Sequence, residues 1–171
     1  MIERKRFTIA ILVRNQFGVL NRVTSMFRRR QFNIDALTVS ETESAEFSRI
    51  TVLFDGERVT KQQMVDQLYK LPDVVSIREF DQDEAVSCEL LLIKMENDPA
   101  SRGDILAAAE AYEAKTVNYT RDAIIMQLTG DSRRVDDFIN LMRDYKILEI
   151  CRTGVVSLER GADTIRKVTN L

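Results

Sequence analysis

The chain has 171 residues, of which 44% are hydrophobic and 30% charged, with a net charge of −2. These proportions are typical of a globular protein with one or two domains, and they give no general attraction for nucleic acid or an anionic membrane surface. No run of about 18 apolar residues could span a membrane, and the N-terminus has no targeting pattern, so we expect a cytoplasmic protein.

Histidine is absent, and Cys88 and Cys151 are the only cysteines. The lack of histidine removes the commonest general base, the usual metal ligand and every Ser-His or Cys-His nucleophile pair. Two thiols alone cannot complete a four-ligand zinc site. Each cysteine lies in an apolar run, so we interpret both as buried apolar residues. The composition therefore disfavours an enzyme.

The first half of the chain predicts the order β-α-β-β-α-β. Apolar residues alternate over residues 7–13, as in a central strand, and then recur at helical spacing up to about Arg30. A change of parity in the second strand predicts a β-bulge or bend near Asp35. A third strand over residues 48–54 follows, and Pro72 ends a second helix before the fourth strand.

A charged segment, residues 81–86, is the predicted linker, and the same order of elements then repeats. Residues 148–158 are expected to form the last strand. Two such units predict an α+β protein with two ferredoxin-like βαββαβ domains in tandem, each with its helices on one face of a four-stranded sheet. We expect domains over residues 1–80 and 87–160, and a mobile polar tail over residues 161–171.

The turn between the first strand and the first helix is the candidate binding site. A helix N-terminus presents unpaired N–H groups and a positive dipole end, which favour a carboxylate or phosphate. Gly18 permits a positive φ and a close approach of a ligand, and Asn15 can cap the turn or donate to the ligand. Because N-x-x-G is also common in ordinary turns, a purely structural role stays open. The glycine patterns of dinucleotide and phosphate-binding loops are absent.

Several motifs, in order along the chain, resemble one family. Residues 7–37, with N-x-x-G-V-L-x-R-V before F-N-I-D-A-L, look like an ACT domain. They resemble most closely the small regulatory subunit of acetolactate synthase (acetohydroxyacid synthase). The resemblance continues to about residue 161, through N-I-D-A-L-T-V-S at residues 33–40, S-R-I-T at 48–51, K-L-P-D-V at 70–74, E-L-L-L-I-K at 89–94 and R-T-G-V-V-S-L at 152–158.

The resemblance implies a non-catalytic subunit that binds the catalytic large subunit of acetolactate synthase. It would raise the activity of that subunit and confer feedback inhibition by a branched-chain amino acid, usually valine. No cofactor is expected in this chain: thiamine diphosphate and Mg, with FAD as a further candidate, would belong to the catalytic partner. Neither nucleic acid nor a membrane is an expected partner.

The resemblance also implies a homodimer through the ACT domain, with the effector between two chains. One chain would bind the carboxylate and amino group of the effector through its first turn, and a second chain would contribute the start of its second strand. The effector-binding residues carried over in this way are Asn15, Gln16, Phe17, Gly18, Val19 and Leu20 of the turn, with Asn33 and Ile34 of the partner.

Two positions depart from the family pattern. An acidic residue often precedes the Asn in the family and could attract the ammonium group of the effector. Here that position is Arg14, which favours the carboxylate or points into solvent. Phe17 is bulkier than the small residue of some members, so we expect a narrower pocket entrance.

Three alternatives stay open. The first is an amino-acid-sensing ACT protein that acts on a different partner, against which the second-half motifs argue. The second is a free-standing enzyme that uses Asp, Glu or Lys chemistry, although no paired-carboxylate spacing supports it. The third is an RNA-binding module with the same strand order. The net charge and the lack of a paired aromatic stacking motif argue against that alternative.

Overall fold

The computed structural model describes residues 6–55, 58–80 and 85–167. The chain divides into two compact units. The first contains the described residues up to Val86 together with those from Val155 onward, and the second is Ser87–Gly154. Each unit has its own core and is described separately.

The first unit has the predicted βαββαβ order, and its antiparallel sheet has the strand order β2-β3-β1-β4. The central strand β1 places alternate side chains, among them Ile9 and Ile11, in a core shared with Phe27, Met64 and Leu68 of the helices. The elements are β1 (Arg6–Arg14), α1 (Val19–Arg29), β2 (Ile34–Glu41), β3 (Phe47–Asp55), α2 (Arg58–Leu68) and β4 (Val74–Phe80).

The predicted bulge in β2 is confirmed. The pairing of β2 with β3 shifts register between Ile34 and Ala36, so Asp35 is the extra residue. A bulge reverses the side-chain alternation of a strand. Consequently Ile34 and Leu37, three positions apart, both pack against the same core.

The second unit repeats the order, which confirms the α+β, tandem ferredoxin-like prediction. Its strands are ordered β6-β7-β5-β8, and β9 also pairs with β5, whose first two residues already belong to the first unit. The N-cap Asp131 accepts a hydrogen bond from the Arg134 N–H at 2.8 Å. The elements are β5 (Ala85–Glu96), α3 (Arg102–Ala111), β6 (Lys115–Tyr119), β7 (Ala123–Gly130), α4 (Ser132–Met142) and β8 (Ile147–Arg152). The strand β9 (Val156–Glu159) belongs to the first unit.

The C-terminal part differs from the sequence prediction. The expected strand over residues 148–158 is divided at Gly154, whose φ of 78° turns the chain between β8 and β9. From Val155 the chain belongs to the first unit, whereas the predicted second domain extended to residue 160. The expected tail includes a 3₁₀ helix, Ile165–Lys167, that lies against β1 and β4. Residues 168–171 of that tail lie outside the described residues, as do residues 81–84 of the predicted linker.

The interpretation of both cysteines as buried is wrong. Cys151 is exposed and Cys88 is half-buried. Cys151 lies opposite Leu92, which is itself 38% exposed, so this pair faces away from the core. The apolar run around each cysteine indicated a strand but did not indicate which face of the sheet is buried.

Candidate functional site

The turn that joins β1 to α1 depends on a left-handed residue. Gly18 is the N-cap of α1, with φ 80° and ψ 0°. A Cβ at this position would meet only Arg22 NH1, at 3.5 Å, so the conformation and not the available space favours glycine. The turn can therefore present its backbone without a side chain over the start of the helix.

Unpaired N–H groups collect at this turn. The N–H of Gln16 donates to the Arg14 carbonyl at 2.9 Å, and that of Val19 to the Gln16 carbonyl at 3.3 Å. The N–H groups of Phe17, Gly18 and Leu20 meet no acceptor in the part of the chain that the structure describes. Unpaired donors at a helix N-terminus attract an anion, and they are reinforced by the helix dipole. The turn can thus accept a carboxylate.

Asn15 connects the turn to the loop between β2 and β3. Its backbone N–H donates to the Glu46 carbonyl at 2.7 Å. Its side-chain Nδ2 donates to the Ala45 carbonyl at 3.1 Å and to Glu41 Oε1 at 3.2 Å. The amide donors are therefore engaged, while Asn15 Oδ1 accepts no hydrogen bond from the described residues.

Glu41 is a site residue that sequence reasoning missed. It lies 26 positions beyond Asn15 at the end of β2, and only the pairing of β2 with β3 brings it to the turn. An acidic group therefore lies beside Asn15 although Arg14, the preceding residue, is basic and exposed.

An ion pair between a buried carboxylate and a partly exposed arginine supports the turn. Asp73, which is 7% exposed, accepts from Arg22 Nε at 2.8 Å and NH2 at 2.7 Å. Its carbonyl accepts from the Arg14 N–H at 2.9 Å. Sequence reasoning assigned neither residue, although Arg22 is the arginine of the first motif and Asp73 the aspartate of K-L-P-D-V. Their positions within these two motifs were the sequence signal that could have identified them as site residues.

The apolar residues of the turn have different surroundings. Val19 is buried and belongs to the core, so it positions α1 and does not present its side chain. Phe17 is fully exposed, and Leu20 is 41% exposed. An aliphatic ligand beside the Gly18 N–H group could therefore contact Leu20.

Asn33 and Ile34 do not lie near the turn of their own chain. Ile34 pairs with Phe54, which pairs with Phe7 at the start of β1, whereas the turn follows Arg14 at its other end. Seven strand positions separate these ends, or about 23 Å at 3.3 Å per residue. Asn33 is exposed, and its Nδ2 donates to Asp35 Oδ1 at 3.0 Å. One chain alone does not bring the two predicted halves of the site together.

Over residues 6–55, 58–80 and 85–167, no group of three or more Cys, Asp or Glu side chains could hold a metal ion. Within the same ranges, no helix is both long and apolar enough to cross a membrane.

Comparisons with known proteins cover both units. Residues 9–76 match the family model of the AHAS small subunit-like ACT domain, and residues 88–161 match that of the small subunit of acetolactate synthase. The probable acetolactate synthase small subunit of Archaeoglobus fulgidus is 42% identical over 91% of this chain and 98% of that protein. The Bacillus subtilis acetolactate synthase small subunit is 39% identical over 90% of each.

A solved structure agrees with these matches. The crystal structure of the acetolactate synthase small subunit from Thermotoga maritima has a TM-score of 0.84 to this chain, with 33% identity. The alignment covers 93% of this chain and 99% of that one. The fold and the turn define a tandem α+β protein with an N-terminal ACT domain. The chain belongs to the acetolactate synthase small-subunit family, which confirms the resemblance and supports a regulatory role.

Proposed function

We propose that this chain is the cytoplasmic regulatory subunit of an acetolactate synthase. It binds the catalytic large subunit, raises its activity and confers feedback inhibition by a branched-chain amino acid, with valine as the first candidate. Thiamine diphosphate and the other cofactors of the reaction belong to the catalytic partner. Family membership supports the partner. The observation that carries the sensing role is the row of unpaired N–H groups at the Gly18 turn.

The turn offers complementary groups to the two charges of an amino acid. The carboxylate of the effector accepts from the N–H groups of Phe17, Gly18 and Leu20, where the helix dipole favours negative charge. The ammonium group lies toward Asn15 Oδ1 and the carboxylate of Glu41. Glu41 thus substitutes for the acidic residue that many family members have at the position of Arg14.

The aliphatic side chain of the effector needs an apolar surface that one chain does not complete. Leu20 offers part of it beside the turn. We infer that Asn33 and Ile34 of a second copy complete the pocket, which makes the functional form a homodimer. The separation of these two residues from the turn within one chain supports this arrangement. One methylene group changes affinity by only about 1–3 kcal/mol, so calorimetry with valine, leucine and isoleucine must rank the effectors.

The decisive experiment is reconstitution with an acetolactate synthase catalytic subunit. Acetolactate formation is measured with and without this chain, over a range of valine concentrations. Gly18→Asp brings a carboxylate to the anion site, so we expect activation to persist while half-inhibition needs at least about tenfold more valine. Gly103→Asp is the matched control, because an added Cβ there has no neighbour within 4 Å apart from the adjoining residues and the backbone of its own helix.

Each alternative outcome has a definite meaning. Absence of activation by the wild-type chain would contradict the proposed partner. Loss of activation with unchanged inhibition in Gly18→Asp would show that the turn docks and does not sense.

A further inference from the structure

Residues 155–167, called the C-terminal segment here, cover the face of the first sheet that is opposite to the helices. A cavity lies between this segment and the sheet. The segment is held by Ser76 Oγ, which donates to the Ile165 carbonyl at 2.6 Å, and by an ion pair between Arg78 and Glu159. The cavity, of about 450 Å³, is called the outer cavity here. Its walls include Leu12, Arg49, Arg78 and Phe80 of the sheet and Leu158 and Ile165 of the segment.

Arg49 differs from the other cations of the outer cavity. Arg78 pairs with Glu159, and Arg166 lies 2.9 Å from Glu43. Arg49 NH2 donates to the Ser157 carbonyl at 2.6 Å, but within the described residues no carboxylate lies within ion-pair distance of Arg49. Its guanidinium lies over the Phe80 ring, 5.8 Å from the centroid. Four of its five N–H groups therefore have no acceptor among these residues.

The surroundings of Arg49 favour an anionic partner. Half-burial removes water from the guanidinium and lowers its pKa, and no carboxylate of the described residues forms an ion pair that compensates for that loss. The planar guanidinium matches the two oxygens of a carboxylate. The arginine of the S-R-I-T motif therefore has a binding capacity that the Gly18 turn does not use.

The remaining walls restrict the ligand to a small, partly apolar molecule with one negative charge. Leu12, Phe80 and Leu158 provide apolar surface, and the volume lies within the usual range of small-molecule sites. The carboxylates of Glu41 and Asp163 at the exposed rim disfavour a second negative charge. We propose that the outer cavity binds a small monocarboxylate, with its carboxylate on Arg49 and its aliphatic body against these apolar walls.

A tryptophan reporter tests this proposal in the undivided 171-residue chain. The chain contains no tryptophan, so Phe80→Trp introduces a single tryptophan, which can be excited selectively, beneath Arg49 and retains an aromatic face for the guanidinium. The probes are isovalerate, 3-methyl-2-oxobutanoate and valine, with uncharged isovaleramide as the neutral control. We expect a saturable change in emission with at least one carboxylate and none with isovaleramide. The three carboxylates distinguish an amino acid from an oxo acid or a simple acid.

Variants in the reporter background assign the response. Arg49→Gln should weaken binding at least about tenfold, because a charge-assisted hydrogen bond is lost. Exposed Arg29→Gln should leave binding unchanged. Leu158→Asp is a second test, which remains available if Arg49→Gln fails to fold. It places a negative charge on the exposed wall and leaves the bonds of Arg49 in place, so it should also weaken carboxylate binding. Gly18→Asp should leave the response intact, which separates the cavity from the turn.

The proposal is overturned if none of the carboxylates gives a saturable response, or if isovaleramide binds as tightly as isovalerate. It is also overturned if the response survives both Arg49→Gln and Leu158→Asp, or disappears in Gly18→Asp. These outcomes leave the proposed role of the turn in feedback inhibition unaffected, because that role is measured by inhibition of the reconstituted synthase.

Discussion

Two glycines at the start of helices illustrate how one substitution can have opposite effects. Gly18 adopts φ 80°, where an L-residue is strained, whereas Gly103 lies within α3 with nothing near its added Cβ. We therefore expect Gly18→Ala to lower the free energy of unfolding by about 1–2 kcal/mol. Gly103→Ala should raise it by about 0.5–1 kcal/mol through helix propensity. Urea unfolding measures both, and changes of the same sign would contradict the assigned role of the Gly18 backbone.

At Asp73, a buried carboxylate supports the binding turn without lying in it. Asp73→Asn keeps the shape but removes the charge that faces Arg22. Because the Arg22 side chain is 45% exposed, we expect a loss of only about 1 kcal/mol in the free energy of unfolding. We also expect weaker valine binding, measured by calorimetry, since the turn is less rigidly held.

Asp137→Asn is the control for Asp73, because its carboxylate lies 4.0 Å from the exposed Arg133. That substitution should change stability by less than about 0.5 kcal/mol. If valine affinity in Asp73→Asn equalled that of this control, Asp73 would have no positioning role.

Periodicity in the sequence predicted those strands, helices and bulges whose signal comes from residues close together in the chain. The alternation over β1, the helical spacing of α1 and the parity change at Asp35 all report burial on one local face, so these elements and the bulge were predictable. Apolar alternation does not say which sheet a strand joins. The division at Gly154 and the exposed Cys151 therefore escaped prediction.

The candidate site shows the same limit. The turn was predictable because its signal is local, in the sequence N-x-x-G. Its supports are contacts between distant positions: Asn15 with Glu41, and Arg22 with Asp73. No pattern within one element encodes such contacts, and only the pairing of strands and the packing of loops brings these residues together.

The ion pair between Arg78 and Glu159 is expected to anchor the C-terminal segment to the first sheet. The Arg78 and Glu159 side chains are 28% and 21% exposed, whereas those of the comparable pair Lys94 and Glu149 are 37% and 66% exposed. Double-mutant cycles with Arg78→Gln and Glu159→Gln should give a coupling of about 1 kcal/mol or more in the free energy of unfolding. The Lys94–Glu149 cycle should give a smaller coupling, because water screens this exposed pair. Equal couplings would mean that this ion pair does not anchor the segment.

For the whole molecule, the strand register of the first sheet determines how many chains are needed for a pocket that uses both the turn and Asn33. The turn and Asn33 lie at opposite ends of the first sheet, about 23 Å apart along β1 by strand rise. A pocket that uses both must combine two chains, and a two-fold axis then generates a second, identical pocket. In such a homodimer, each pocket has its turn from one chain and its Asn33 from the other.

Mixing two defective chains tests this arrangement. Gly18→Asp should abolish both pockets of its own homodimer, and Asn33→Ala should weaken both of its own. In a mixed dimer, one pocket carries both substitutions, while the other has a wild-type turn and a wild-type Asn33. Refolding the two variants together in equal amounts should therefore restore wild-type affinity to about one quarter of the valine sites, as counted by calorimetry. If Asn33 and the turn acted within one chain, no mixture would restore any wild-type site.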